Sequence, residues 1–331
     1  MNEIIKHNIQ PPVYGKMRFK FLAIVRQFIT AAINGEILTP NGDKYSKGTI
    51  RTYLTFMLTI EAYEKEFGTI YTDDINILWA EYYRMFLTNM NLSKNSIAAN
   101  MSKLKAIINR AYIAGIMERS AYGIKISQER TVQVYLTLSD LKKLYYFEFG
   151  NPGETKTRDV FIMHCFIGMR ISDYLKFIRS PKDYIIEVDD NQFIEYFSTK
   201  TGIKSVVPIH RMVKIILRKN NFDFGAKFSY QHYNNYLKKI CKKAGITELV
   251  RTIQTIGGVR VEKEVPKYKL VSSHTARRTF ASLAELAKIN RPAIMKITGH
   301  KTEAAFMSYI RISELDSALT IFDHDFFKIE L

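Results

Sequence analysis

The chain has 331 residues, with 49 Lys and Arg against 32 Asp and Glu, a formal net charge of +17 and a pI near 9.6. That length suggests about two domains, and 47% hydrophobic content argues against wholesale disorder. Only two cysteines, Cys165 and Cys241, exclude a disulfide-rich secreted scaffold, and neither has the close Cys or His neighbours of a structural zinc site. The apolar run over 19–29 is broken by Lys20, Arg26 and Gln27, and that over 160–169 is too short to span a membrane. No signal peptide is legible, so a reducing, cytoplasmic setting is expected. Residues 1–125 carry 16 basic and 10 acidic side chains and residues 126–331 carry 33 and 22. Both halves can therefore face one polyanion, most simply nucleic acid.

In chain order, Phe21, Ile24, Val25, Phe28, Ile29 and Ala32 recur at helical steps, and the helix should stop near Asn34-Gly35. Pro40-Asn41-Gly42-Asp43 reads as a turn. A second helix is expected over 46–67, a third over 73–90 and a fourth over 93–116. Periodicity fades over 120–137, where Thr137 and Asp140 offer helix-capping chemistry ahead of Leu141 and Leu144. Three β-rich runs, 184–188, 192–199 and 205–209, predict an antiparallel meander. A hairpin divided by Gly257-Gly258 is expected over 251–263. Ser273 should cap a helix whose Ala276, Phe280, Leu283 and Ala287 form the buried stripe.

Four islands carry residue types suited to a phosphodiester. In Gly168-Met-Arg-Ile-Ser-Asp-Tyr174, Gly168 can end one helix and Ser172 cap the next, leaving Arg170 on a tight turn to present its planar fork to two phosphate oxygens. In Ser198-Thr-Lys-Thr-Gly202, Lys200 sits on a short hairpin turn that can hold its ammonium in place as a proton donor. In Ser273-His-Thr-Ala-Arg-Arg-Thr-Phe-Ala281, His274 and Arg277 share a face near a helix N-terminus, where a phosphate is favoured. Arg278 should point away from the core stripe, toward a DNA backbone or solvent. In the segment 297–309, Pro292 opens the preceding helix, Gly299 ends it, His300 lies at the junction, and Thr302 caps a helix carrying Tyr309 three residues beyond Phe306.

Together these residues resemble the tyrosine recombinase, or λ-integrase-like phage integrase, family. Its pattern is an arginine in a Gly-x-Arg-x-Ser-Glu-like turn, a hairpin lysine, His-x-x-Arg, then Gly-His with the tyrosine nine residues after that histidine. Arg170, Lys200, His274, Arg277, His300 and Tyr309 occur here in that order and spacing. The helices opening at Ser46 and Ser93 look like those of the family's core-binding domain. Asp173 stands where glutamate is more usual, and Arg278 where many members have histidine. The wording around Arg277 looks most like integrases from mobile elements of Bacteroides-type bacteria.

The resemblance implies a mainly α fold with a small antiparallel sheet. It divides the chain into a SAM-like four-helix core-binding domain (1–120), a linker (121–136), an α+β catalytic domain (137–315) and a C-terminal tail (316–331). Tyr309 would attack the scissile phosphorus, leaving a 3′-phosphotyrosyl link and a free 5′-hydroxyl. Arg170 and Arg277 would hold the non-bridging oxygens, Lys200 protonate the leaving 5′-oxygen, His274 exchange a proton with the tyrosine, and His300 donate to the phosphate. No metal or other cofactor is implied. The partners implied are double-stranded DNA, a homotetramer on synapsed DNA with a monomer or weak oligomer off it, and accessory DNA-bending proteins; no membrane is involved, and the setting is bacterial and nucleoid-associated.

Lys47, Thr49, Arg51, Lys94, Lys103, Lys105 and Arg278 are the expected DNA contacts, with the duplex gripped by both halves as by a clamp. Leu319, Ile321, Phe322, Phe326 and Phe327 give the tail an apolar stripe suited to docking on a neighbouring protomer. About 15 residues precede the first helical pattern, too few for an arm-binding domain, which favours a simpler recombinase. The rival expectations are type IB topoisomerase-like relaxation, which needs no synapsis, and a catalytically silent DNA-binding regulator.

Overall fold

The computed structural model describes residues 18–225, 230–312, 318, 321–322 and 325–329. It divides into two compact units between Thr131 and Val132, the first also taking in Ile253–Glu262. Among the described residues no helix is long and apolar enough to cross a membrane.

The first unit is built on four helices, α1 (Phe21–Asn34), α2 (Lys47–Phe67), α3 (Ile77–Asn89) and α4 (Lys94–Ile113). Ser46 and Ser93 cap α2 and α4 by accepting from the N–H groups of Thr49 and Ser96, which satisfies donors the helix itself cannot. The third helix starts four residues later than its pattern suggested. Asp73 and Asp74 are committed to Arg18, and Asn76 is the cap, accepting from Trp79 N–H. The apolar faces of all four helices meet in one core, in which Tyr63 lies 5.2–5.8 Å, ring to ring, from Trp79, Tyr83 and Phe86.

The hairpin β4 (Leu249–Ile256) and β5 (Val259–Pro266) contributes its tip to this unit. Ile256 bridges Ser93, Gly257 N–H donates to Leu92 O at 3.1 Å, and the Glu129 carboxylate accepts from Thr255 N–H and Oγ1 at 2.8 and 2.7 Å. Gly257 has φ +56°, and a Cβ there would come within 2.6 Å of Asn91 Oδ1, so glycine is required on both counts.

The second unit opens with α5 (Leu138–Tyr146), held by the capping box of Thr137 and Asp140. Helix α6 (Pro152–Ile167) is buried along most of its length and packs against α8 (Arg211–Lys219), α9 (Tyr230–Lys243) and α10 (Ser273–Leu286). Between α6 and α8 lie α7 (Ile171–Phe177) and an antiparallel sheet β1 (Ile185–Val188), β2 (Asn191–Phe197) and β3 (Lys204–Pro208), in the expected order and with Ile194 opposite Ile185 and Val207. Two short helices, α11 (Arg291–Thr298) and α12 (Glu303–Met307), complete it.

Several local expectations are corrected. Ser172 lies inside α7 and caps nothing; Arg170 itself occupies the cap position without a side-chain cap bond. Ser272, not Ser273, is the cap residue of α10, its N–H donating to Thr275 Oγ1 at 3.0 Å. The buried surface of α10 is wider than one stripe and includes Ser273, Thr275, Arg277, Thr279 and Ser282, while Ala287 at its end is exposed. Helix α12 stops at Met307, so Tyr309 sits just beyond it, its N–H donating to Phe306 O at 2.8 Å. Leu319 lies outside the described residues; Ile321, Phe322, Phe326 and Phe327 are exposed.

Candidate active site

The end of α6 fixes the first arginine. Gly168 takes φ +72°, and a Cβ on it would fall 2.5 Å from the Phe280 ring, so the chain can turn tightly against α10 only through glycine. The Arg170 guanidinium has no acceptor with which to cap α7, and it reaches two other elements instead. Nη1 donates to Ser198 Oγ at 3.0 Å and Nη2 to Gly299 O at 3.2 Å.

Ser198 belongs to the β2–β3 turn that carries Lys200. That turn is closed by Gly202 N–H donating to Ser198 O at 2.8 Å, with Gly202 at φ +65°. It is tethered again by the buried Asp173, whose Oδ1 accepts from Thr199 N–H at 2.9 Å, and by Lys176 Nζ on Thr199 Oγ1 at 2.9 Å. The departure at Asp173 thus keeps a carboxylate role, holding the lysine turn. Lys200 is exposed at its tip.

Arg277 is 1% exposed. Nη1 donates to Gly168 O at 2.8 Å, while Nε and Nη2 are buried without a partner. Burial, with Arg170 adding to it, pushes its pKa down to about 10, so it stays charged at neutral pH. A buried guanidinium with two unmet donors is costly to keep unless an anion completes it. Its central carbon lies 5.7 Å from the centre of the Tyr309 ring.

The two histidines share this positive setting. Burial, then Arg278, Arg277, Arg170 and Lys200, lowers the pKa of His274. Burial, Arg277 and Arg170 push that of His300 down to about 4. The His300 ring lies 4.6 Å from that of Tyr309, and its Nδ1 is hydrogen-bonded to Thr298 Oγ1 at 2.7 Å. Tyr196 OH and Ser205 Oγ donate to Ile297 O and Lys296 O, tying the end of α11 to the sheet.

Arg170, His274, Arg277, His300 and Tyr309 are therefore brought together, with Lys200 near enough to act on His274 electrostatically. Arg278 is half-buried, with an unpartnered Nε; its pKa is lowered by burial and by Arg311, and Tyr309 acts against that, so it is not on a solvated face. Among the described residues no group of three or more His, Cys, Asp or Glu is placed to hold a metal ion. In the first unit Lys47 and Arg51 are exposed, and Lys94, Lys103 and Lys105 half-buried. Thr49 is tied to Ser46 Oγ, and the Lys103 ammonium lies 4.7 Å over the Tyr53 ring. Thr298 and Ser198 were inside the islands, but no spacing rule marked them as partners of His300 and Arg170.

Residues 20–129 match the family model described as the phage integrase SAM-like domain. No curated protein matches the chain. Among solved structures, a lambda integrase (75–356) dimer bound to a COC′ core site is 15% identical, with TM-score 0.64 over 89% of this chain and 96% of that one. The Tn1549 transposon integrase (82–397) in complex with circular intermediate DNA is 16% identical, with TM-score 0.62 over 92% of this chain and all of that one. A lambda integrase tetramer bound to a Holliday junction is 14% identical, with TM-score 0.62 over 88% and 78%. The chain has the fold of these integrases: a SAM-like helical unit and a second, mainly α unit, with small antiparallel sheets.

Proposed function

We propose that the chain is a site-specific DNA recombinase that cuts and rejoins strands through a 3′-phosphotyrosyl intermediate. The observation that carries this reading is Arg277, buried with two unmet donors beside the ring of Tyr309. A phosphodiester supplies what that site lacks: an anion whose non-bridging oxygens accept from Arg277 and Arg170. Tyr309 is the nucleophile, forming the bond to phosphorus as the bond to the 5′-oxygen breaks. Lys200 protonates the leaving oxygen, and a free 5′-hydroxyl later reverses the step. His274, its pKa lowered by burial and by the cations around it, exchanges a proton with the tyrosine, and His300 faces the phosphate.

The domain division is read as 1–120, 121–136, 137–315 and 316–331. Lys47, Thr49, Arg51, Lys94, Lys103, Lys105 and Arg278 contact the DNA. The protein works as a tetramer on synapsed duplexes, in a bacterial, nucleoid-associated setting, and motif wording favours a Bacteroides-type mobile element. Tetramer-on-junction and core-site structures of lambda integrase support the assembly. The test begins with mapping the genomic junctions that appear on expression, then uses the mapped site as a nicked suicide substrate. The full chain should become covalently attached to labelled DNA, and Tyr309→Phe should abolish attachment while binding stays within a few-fold. Covalent attachment by Tyr309→Phe would overturn the assignment of the nucleophile.

A further inference from the structure

Thr298 is fully buried at the end of α11, and its one hydroxyl proton is already spoken for. Oγ1 lies 2.7 Å from Ile294 O and 2.7 Å from His300 Nδ1. Two oxygens at 2.7 Å need a proton between them, and a backbone carbonyl has none to give, so the Thr298 hydroxyl donates to Ile294 O. The bond to His300 must then run the other way, with Nδ1–H donating to Thr298 Oγ1. A neutral imidazole carries one proton, which leaves Nε2 with a free lone pair.

We infer that Thr298 is a positioning residue that fixes the tautomer of His300, so that Nε2 is a proton acceptor before it is a donor. This rests on the recombinase reading and deepens it. The groups facing His300 are Arg170 at the start of α7, Arg277 on α10, and Tyr309 and Phe306 from the segment of α12. Burial and then two guanidinium groups keep the ring neutral in the free protein, with a pKa of about 4. A bound phosphodiester offsets those charges and raises the basicity of the ring.

The tyrosine hydroxyl proton then passes to His300 Nε2, which takes the role given above to His274, as the phenolic oxygen bonds to phosphorus. The bond to the 5′-oxygen breaks, and that oxygen takes a proton from Lys200. The new imidazolium carries N–H on both sides, one to Thr298 and one to the phosphate. One ring thus accepts a proton from the nucleophile and afterwards stabilises the charge that forms, with Thr298 keeping Nδ1 occupied throughout.

The experiment uses the full chain labelled with ¹⁵N-histidine, the His300 signals being assigned by their loss in His300→Gln. At neutral pH the wild-type protein should show a protonated Nδ1 and a bare Nε2. Thr298→Ser, which keeps the hydroxyl, should preserve that pattern. The near-isosteric Thr298→Val should shift His300 toward the Nε2–H tautomer.

On nicked DNA, Thr298→Val should form the covalent complex about tenfold more slowly, with affinity within about twofold, and Thr298→Ser should restore the rate. Losing the Nδ1–H bond lowers ring basicity, so the acid limb of the Thr298→Val rate profile should move to lower pH. A purely structural role would leave that limb in place. A protonated Nε2 in the free wild-type protein, or a Thr298→Val protein with altered tautomer and unaltered cleavage, overturns the inference. If wild-type protein forms no covalent complex, the recombinase reading fails, and the tautomer comparison alone still decides what Thr298 does.

Discussion

The interiors of the two units are built from different materials. In the first, described buried polar side chains are few, namely Thr59, Thr72 and Asn100. Thr59, Tyr83 and Asn100 satisfy one another within a core of stacked and tilted rings. The second buries Asp140, Glu154, Arg158, Asp159, His164, Asp173, Lys267 and Arg277. Most of these are paired: Lys267 with Asp140 at 2.8 Å, Glu154 with Lys239 and Lys243, Asp159 with Arg158 and Lys219. Buried charge as such therefore marks architecture. What marks the site is buried charge left incomplete, and Arg277 is the described buried cation with two unmet donors.

The largest test of that distinction replaces each kind of buried cation by an apolar chain of similar length. Arg277→Met should lower the rate of covalent-complex formation by about 10²–10³. Its thermal midpoint should be unchanged or raised, because an incomplete charge leaves the core. Lys267→Met strands Asp140 in the interior and should cost about 3–5 kcal/mol in denaturant unfolding. Equal destabilisation by the two substitutions would erase the difference between them.

Lys200 sharpens the comparison within the site. With the leaving 5′-oxygen replaced by sulfur, a better leaving group, Lys200→Ala should recover most of a loss of about 10²–10⁴, and Arg170→Ala should not. Equal rescue of both would count against a proton-donor role for Lys200.

For the first unit the expected effect is on affinity, not chemistry. Replacing Lys47, Arg51 and Lys94 together by Ala should flatten the slope of log affinity against log salt by about 0.9 for each phosphate that is no longer neutralised. The cleavage rate at saturating DNA should stay unchanged. A lower saturated rate with an unaltered slope would show that these side chains do not bind the DNA backbone.

What could be read from the sequence follows from what is local. Helix periodicity, the helix starts at Ser46 and Ser93 and the capping chemistry of Thr137 depend on neighbours a few residues away, as does the αL stop at Gly168, and each is found. Asn76 displaced the expected start of α3 because Asp73 and Asp74 are claimed by Arg18, more than 50 positions earlier in the chain. The buried faces of α10 exceed one stripe because elements from several parts of the chain cover it. Spacing brought out Arg277 and Tyr309, but not the unmet donors of the first or the position of the second just past a helix end. The tautomer of His300 depends on where one hydroxyl proton points, which residue type alone does not specify.

His164 gives the smallest expected effect. It is fully buried against the Tyr174 ring, 4.0 Å away, with Nε2–H donating to Met169 O at 3.0 Å and Nδ1 without a partner. Burial pushes its pKa down to about 3, from an ordinary value near 6.5. Between those values the unfolded chain holds a proton at this residue that the folded chain refuses. The stabilising contribution of a neutral His164 is therefore complete above about pH 6.5 and is lost as pH falls toward 3. At pH 4 that loss is on the order of 3 kcal/mol, taking about 1.4 kcal/mol for each pH unit. His164→Gln keeps a donor for Met169 O and removes the titration. Its stability, measured by denaturant unfolding from pH 7 to pH 4, should fall less steeply than that of the wild type, whatever offset it shows at pH 7. Parallel curves would mean that the acid sensitivity of the second unit comes from its paired carboxylates, and that His164 does not contribute to it.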